Sequence, residues 1–237
     1  MFISKELLLT GCDKIGLSLT EEAVLRFDTY ARLLVEYNEK VNLTAITAPD
    51  EIVNKHFIDS LYLLKYVQLH NGDSLCDVGT GAGFPGAALL CAKPELKVSL
   101  FDSINKKLTF LRLLTSELGL QADIVQIRAE DAGKQPTYRE SFDVVTARAV
   151  AQLNVLAEYC MPLVRQNGRF APLKAAMSQE EEQRGFGAVT ALGGKRIAKE
   201  HYNLPDGSDR EIVVFEKISP TSQRYPRNAA QIAKKPL

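Results

Sequence analysis

Apolar residues in the first seventy positions recur with a helical period. After Thr20 they are spaced three or four residues apart along one face: Ala23, Phe27, Tyr30, Leu34, Tyr37 and Val41. Thr20 is a typical helix start, because its hydroxyl can cap free backbone N–H groups. A second helix is predicted to begin near Pro49 and to run toward Val67, since proline is tolerated in a first turn. The pattern therefore predicts a helical N-terminal part over residues 1–70.

After Asn71-Gly72 the pattern changes to short apolar runs that alternate with amphipathic stretches. The runs, each of strand length, are Leu75–Val78, Val98–Phe101, Ile124–Ile127, Phe142–Val145 and Arg169–Leu173. Such alternation predicts βαβ units and a parallel sheet covered on both faces, with Lys106–Leu118 as one of the helices. Lys195–Tyr202 and Glu211–Lys217 flank turn residues and predict an added antiparallel hairpin. We therefore expect a Rossmann-like α/β domain over residues 71–218.

The last segment, residues 219–237, differs from the rest of the chain. It contains no acid and four bases: Arg224, Arg227, Lys234 and Lys235. Its three prolines argue against a regular element. A solvated terminus and a nucleic-acid-binding arm both fit this composition. We expect the tail to lie apart from any cofactor pocket, with truncation after Lys217 weakening the binding of a polyanion only; the alternative is that Arg224 and Arg227 fold back against the sheet.

Composition narrows the class of protein. Of the 237 residues 46% are hydrophobic and 24% are charged, which excludes a disordered chain, and the formal net charge of zero excludes a bulk polycation. The four cysteines and three histidines have no metal-ligand spacing. No signal peptide or apolar run of membrane-spanning length is present. These features predict a soluble cytoplasmic protein without a metal or membrane partner.

A glycine-rich turn follows the first predicted strand. Asp77 lies at the end of that strand, and Gly79, Gly81, Gly83 and Gly86 follow it. Glycines let the backbone turn sharply and approach a ligand with no Cβ in the way. Gly79 in particular is expected to serve the close approach of a ligand.

Two classes of nucleotide cofactor use such a turn. Gly81-x-Gly83-x-x-Gly86 matches the dinucleotide fingerprint, whereas Asp77-x-Gly79-x-Gly81 matches the acidic strand end of S-adenosylmethionine (SAM) enzymes. An acid beside the loop repels a pyrophosphate but attracts the positively charged methionine part of SAM. Asp102, at the end of the second strand, suits a ribose diol in either class, and Glu130 follows the third strand where an adenine ring would lie. The pattern therefore favours SAM.

Seven motifs spread along the chain resemble those of a known protein family. They are NLTAI from Asn42, HFIDSL from His56, DVGTGAGFPG from Asp77, FDSINKKLTFLR from Phe101, IRAED from Ile127, FDVVTARAV from Phe142 and the closing KISPTSQRYPRNAAQIAKKPL. Together they resemble the bacterial 16S rRNA guanine-N7 methyltransferase family, RsmG, also called glucose-inhibited division protein B. The glycine motif alone indicates only a methyltransferase. The combination with the N-terminal and closing motifs is specific and covers nearly the whole chain.

The resemblance implies a class I SAM-dependent methyltransferase fold behind a small helical part. It implies SAM as the methyl donor and N7 of a guanine in the 530 loop of 16S rRNA, position 527 in rRNA numbering, as the acceptor. The small ribosomal subunit is the implied partner. The family's cofactor contacts fall on Gly79, Phe84, Ala129, Glu130 and Arg148.

Two positions depart from the family pattern. Lys174 is followed by Ala175-Ala176, where the family usually continues with glycine, and Ala147 stands where the family often has serine. The first departure affects the backbone of a loop after the fifth strand. The second removes a hydroxyl beside Arg148.

Methylation at guanine N7 needs no general base, because the nitrogen carries a free lone pair. Catalysis by alignment is therefore expected, and no catalytic residue is assigned. Arg148 follows the fourth strand, where its guanidinium would meet the donor carboxylate or an RNA phosphate; a surface salt bridge is the alternative. His56, Asp59 and Ser60 share one helical face and either border the site or form an ordinary polar face.

Three other interpretations stay open at the level of sequence. The glycine turn would also suit a tight strand-to-helix connection without any ligand. The Gly81–Gly86 fingerprint would suit an NAD(P)-dependent oxidoreductase. The neutral charge and the missing general base would suit a non-catalytic RNA-binding scaffold. Titration with SAM and NADH, together with a methyl-transfer assay, distinguishes these classes.

Overall fold

The computed structural model describes residues 1–237 and begins with helices. Ser4 and Thr20 cap the first two, each hydroxyl accepting a hydrogen bond from the backbone N–H three residues later. The N-terminal elements are α1 (Lys5–Lys14), α2 (Glu21–Asn38), α3 (Pro49–Ile52), a π-helical segment (Val53–Ile58) and α4 (Asp59–Tyr66). The last three run on without a break. The predicted helix from Pro49 toward Val67 is thus confirmed, with a π-helical turn in its middle that carries His56.

An eight-stranded sheet follows. Its strands are β1 (Ser74–Val78), β2 (Lys97–Asp102), β3 (Asp123–Gln126), β4 (Phe142–Thr146), β5 (Val164–Phe170), β6 (Leu173–Ala175), β7 (Gly194–Asn203) and β8 (Asp209–Lys217). The order is β3-β2-β1-β4-β5-β8-β6, with β7 paired to β8. The first five strands are parallel, and β8 is antiparallel to β5, β6 and β7. The predicted mainly parallel α/β sheet with an antiparallel hairpin is confirmed.

Helices cover both faces of this sheet. They are α5 (Gly86–Ala92), α6 (Asn105–Glu117), α7 (Ala129–Ala132), α8 (Leu153–Cys160) with a 3-10 turn (Met161–Leu163), α9 (Gln179–Ala191) and α10 (Ala229–Lys234). The predicted fifth strand differs in its bounds: Arg169–Leu173 is divided between β5 and β6. The break lies at Ala171 and Pro172, where proline supplies no N–H for a ladder.

The N-terminal helices share a core with one face of the sheet. Tyr30 and Phe57 are fully buried, and Tyr30 packs against Phe110 of α6 and Phe84 of the glycine turn. A second buried cluster fills the opposite face and includes Phe170 and residues of α8. The sequence boundary near residue 70 falls between α4 and β1, but the helices have no separate core on their side of it.

The C-terminal tail packs against the domain. The Arg139 guanidinium donates to the backbone carbonyls of Thr221 at 2.7 Å and Tyr225 at 2.8 Å. Ile232 and Tyr225 are buried. The expected absence of a regular element is wrong, because Asn228 begins α10 with a reciprocal side-chain cap to Gln231. The prolines lie on either side of this short helix.

Candidate cofactor and acceptor sites

Asp77 anchors the turn between β1 and α5. Its Oδ2 accepts hydrogen bonds from the Thr80 hydroxyl at 2.7 Å and from the backbone N–H of Gly86 at 2.8 Å. Burial raises the pKa of Asp77 to about 6, although both hydrogen bonds oppose the rise. A dinucleotide pyrophosphate uses the N–H groups at this helix end. Here the first of them is already bonded to a carboxylate, which argues against a dinucleotide.

Neighbouring protein atoms leave no room for a side chain at several glycines of the turn, as Gly79 and Gly86 show. Gly79 has φ +71°, and a Cβ there would lie 2.8 Å from Cγ2 of Val150. A Cβ on Gly86 would lie 2.6 Å from Cδ2 of Leu100 and 2.8 Å from Cβ of Asp77. Gly79 thus lets the segment after β4 approach the turn, and Gly86 lets α5 pack on the sheet. The sequence did not reveal this contact of Gly79 with Val150, and a role of Gly79 in the approach of a ligand stays a prediction.

One cavity lies at the carboxyl ends of β1, β2 and β3. Four of the six predicted cofactor residues line it: Gly79, Asp102, Ala129 and Glu130. This glycine-loop cavity has a volume of about 190 Å³. Val150, Tyr159 and Ala229 also line it. Sequence reasoning missed these three: Val150 and, in the tail, Ala229 lie in quoted motifs but carry apolar side chains with no chemical signal, and Tyr159 lies outside every motif. The expectation that the tail lies apart from this site is wrong.

The two carboxylates in this cavity keep free acceptor capacity. Asp102 accepts from the N–H of Ile104 at 2.9 Å and from the N–H of Gly81 at 3.0 Å, one through each oxygen. A carboxylate has about four acceptor positions, so further donors can bind. Glu130 has its nearest cation, Arg128, at 3.9 Å. Two such acceptors among apolar side chains fit the hydroxyl and amino groups of an adenosine.

Phe84 and Arg148 lie outside the glycine-loop cavity. Phe84 is 5% exposed and stacks between Tyr30, with ring centroids 5.2 Å apart, and His56, at 4.4 Å. The Arg148 guanidinium lies over the same Phe84 ring at 5.0 Å. These two predicted cofactor residues join the helical part to the sheet.

A polar network surrounds Arg148. One guanidinium nitrogen donates to Oδ2 of Asp59 at 2.8 Å, and the other contacts Nδ1 of His56 at 3.0 Å. Because arginine only donates, His56 accepts at Nδ1 and carries its proton on Nε2, which donates to the Thr44 hydroxyl at 2.9 Å. Burial, and then the Arg148 charge, lower the pKa of His56 to about 3. His56 is therefore neutral.

This network unites motifs that are distant in sequence. Thr44 comes from the NLTAI motif, His56 and Asp59 come from the π-helical segment and α4, and Arg148 follows β4. Tyr202 of β7 also donates to Asp59, at 2.9 Å. Ser60 is buried and donates to the His56 carbonyl. His56 and Asp59 thus have partners from the sheet, whereas Ser60 bonds within its own helix.

A second, larger cavity opens beside Arg148. This basic cavity has a volume of about 430 Å³ and carries four cations: Lys55, Arg148, Lys174 and Arg210. Asp59 and Glu181 are its acids, and Ala175 and Ala176 form part of its apolar wall. Arg148 and Ala149 line this cavity, whereas Val150 lines the other. The backbone over residues 148–150 therefore separates the two cavities.

The four predicted RNA contacts of the tail have different surroundings. Arg227 forms a bidentate pair with Glu158, with Nε–Oε1 at 2.8 Å and Nη2–Oε2 at 2.5 Å. Glu158 is fully buried, so Arg227 folds back as the alternative anticipated, but against α8 rather than the sheet and without Arg224. Arg224, Lys234 and Lys235 are exposed.

No group of three or more His, Cys, Asp or Glu side chains is arranged to hold a metal ion. None of the helices combines the length and the apolar character that a membrane span requires.

Comparison with known proteins gives consistent matches. Residues 24–211 match the model of the family GidB, described as rRNA small subunit methyltransferase G. The chain is 45% identical to a ribosomal RNA small subunit methyltransferase G from Geobacillus sp. (strain WCH70), over 96% of this chain and 97% of that protein. It is 43% identical to a protein of the same name from Alkaliphilus metalliredigens (strain QYMF), over 99% of each.

Solved structures show the same fold. A SAM-dependent O-methyltransferase from Thermotoga maritima superposes with a TM-score of 0.55 at 15% identity. The match covers 80% of this chain and 72% of that one. At this identity the likeness shows the methyltransferase fold alone.

Proposed function

This chain belongs to the rRNA small subunit methyltransferase G family, and we propose that it methylates N7 of a guanine in the 530 loop of 16S rRNA, with SAM as the donor. The observation that carries the proposal is the pair of cavities on either side of residues 148–150. One offers carboxylates to a nucleoside, and the other offers cations to a polyanion. A methyl transfer between two bound molecules needs such neighbouring sites.

The donor belongs in the glycine-loop cavity. Asp102 accepts hydrogen bonds from the ribose hydroxyls, while Ala129 and Glu130 border the adenine ring. When bound, SAM supplies a methyl group whose bond to sulfur breaks as its bond to N7 forms, leaving S-adenosylhomocysteine. Phe84 and Arg148 act indirectly in this scheme, because their stacked pair holds the turn and residues 148–150 in place.

The acceptor belongs in the basic cavity, where Lys55 and Arg210 attract RNA phosphates. No side chain needs to remove a proton, because N7 of guanine carries none. His56 offers no base in any case, since Arg148 and Thr44 occupy both of its ring nitrogens. Positioning is the chemistry that remains, and well-aligned reactants lower a barrier by up to ~7–11 kcal/mol.

Labelled methyl transfer to small ribosomal subunits that lack the modification tests the proposal. We expect label in 7-methylguanosine after digestion of the rRNA. Naked 16S rRNA is assayed in parallel to identify the acceptor form. Binding of subunits without transfer would support the scaffold alternative, and label in another nucleoside would refute the N7 assignment.

A further inference from the structure

Lys174 and Glu181 form a pair on the wall of the basic cavity. Nζ of Lys174 lies 2.7 Å from Oε1 of Glu181, and both side chains are less than one fifth exposed. Nζ also donates to the carbonyl of Ala151 at 2.8 Å, and Oε1 also accepts from the N–H of Leu153 at 3.0 Å. The chain therefore uses two of three ammonium protons and one of two carboxylate oxygens.

The unused groups are an acceptor beside a donor. Guanine presents the complementary arrangement on its Watson–Crick edge, where N1–H and N2–H donate and O6 accepts. Adenine has an acceptor at N1 and a donor at N6. The free oxygen of Glu181 would therefore face an acceptor, and the ammonium of Lys174 would face a donor. Proteins read unpaired RNA bases through hydrogen bonds to this edge. N7 does not belong to it and stays free.

We propose that Glu181 and Lys174 select guanine as the acceptor base, Glu181 Oε2 accepting from N1–H and N2–H and Lys174 donating to O6. The assignment rests on the proposed function. The neighbouring wall supports it, because Leu173, Ala175 and Ala176 offer an apolar surface to a flat ring. The methyl groups of Ala175 and Ala176 make the basic cavity narrower than glycines at these positions would.

The pair also has a structural role, since it ties the start of α9 to the segment after Arg148. A purely structural pair would affect all substrates equally. Recognition of the base instead makes the effect of a substitution depend on which base is present. The test therefore varies the protein and the base together.

The experiment compares small subunits reconstituted with guanosine or with inosine at the target position. Inosine lacks only the 2-amino group, so wild type should show a kcat/KM about tenfold or more lower for inosine, the loss of one hydrogen bond to a charged group. Glu181→Gln should bring the guanosine-to-inosine ratio close to one, because the amide oxygen stays with the Lys174 and Leu153 donors and the NH2 group, which only donates, replaces Oε2. Glu180→Gln is the matched control, because Glu180 occupies the same helical turn and pairs with Arg184 at the surface.

Lys174→Met is the second variant. It should lower kcat/KM for guanosine and inosine by the same factor, because both bases carry O6. SAM affinity, measured by titration, should stay unchanged in all variants. An unaltered guanosine-to-inosine ratio in Glu181→Gln, or a wild-type ratio near one, would overturn the inference. Absence of wild-type methylation on guanosine would instead refute the proposed function.

Discussion

His56 shows how burial fixes the protonation of a single residue. Its Nδ1 accepts from Arg148 and its Nε2–H donates to Thr44, so a second ring proton would face a guanidinium. The folded protein therefore excludes the charged form that an exposed histidine adopts below its pKa of 6.5.

This exclusion predicts a pH dependence of stability. The pKa of His56 is 6.5 when exposed and about 3 when folded, so its contribution is present above pH 6.5 and is lost as the pH falls toward 3. Wild type should lose roughly 1.4 kcal/mol per pH unit relative to His56→Gln in this range. Urea unfolding of both proteins measures the difference. His70→Gln, at an exposed position, is the control, and parallel curves for wild type and His56→Gln would contradict the prediction.

Asp102 combines two tasks within one side chain. It holds the N–H of Gly81 and of Ile104, and it faces the glycine-loop cavity. Asp102→Ala should weaken SAM binding by ~1.5–3 kcal/mol, and Asp102→Asn should weaken it less because an amide oxygen still accepts. Isothermal titration measures both, with Asp123→Asn at the far end of β3 as the control. Wild-type affinity in both variants would rule out the ribose assignment.

At the level of elements, α8 and the tail depend on one buried ion pair. Glu158 of α8 is fully buried, and Arg227 supplies its positive partner and a backbone N–H. Ala229, two residues later, lines the glycine-loop cavity. The pair therefore links the stability of the tail to the shape of the glycine-loop cavity.

Arg227→Ala should be strongly destabilising, because it leaves a buried carboxylate without a partner, at a cost of ~3–5 kcal/mol. It should also weaken SAM binding through the displaced tail. Arg227→Lys should recover only part of the loss, since lysine cannot form the bidentate contact. Denaturation and SAM titration provide the readouts. Arg224→Ala, at an exposed site, serves as the comparison, and equal effects of both alanine variants would count against the proposed linkage.

At the level of the whole molecule, charge is distributed unevenly over a neutral chain. The tail carries four bases and no acid, yet Arg227 is engaged internally. Lys234 and Lys235 remain exposed at the end of α10, the helix whose first residue, Ala229, lines the glycine-loop cavity. A polyanion drawn to these lysines would therefore lie close to the glycine-loop cavity.

Lys234→Ala combined with Lys235→Ala should weaken small-subunit binding and flatten its salt dependence. Each lost phosphate contact changes the log–log slope by roughly 0.7–0.9. SAM affinity should stay the same, because neither side chain lines the glycine-loop cavity. Binding assays over a salt series measure the slope, and Lys40→Ala in the N-terminal part is the control. An unchanged slope would assign RNA binding to another surface.

The sequence by itself determined the order of helices and strands, because hydrophobic period and capping are local properties. It was also enough to predict that Gly79, Asp102, Ala129 and Glu130 lie close together, because the carboxyl ends of parallel strands meet at one edge of the sheet. The motifs were specific enough to identify the family.

Only the tertiary structure decided what Phe84, Arg148 and Arg227 contact. Arg148 binds residues about ninety positions earlier in the chain, and Arg227 binds Glu158, 69 positions earlier. Such partners meet only after the helical part and the tail have packed against opposite sides of the domain. A side chain with several possible partners takes those that burial brings within reach, and neither local spacing nor composition records that choice.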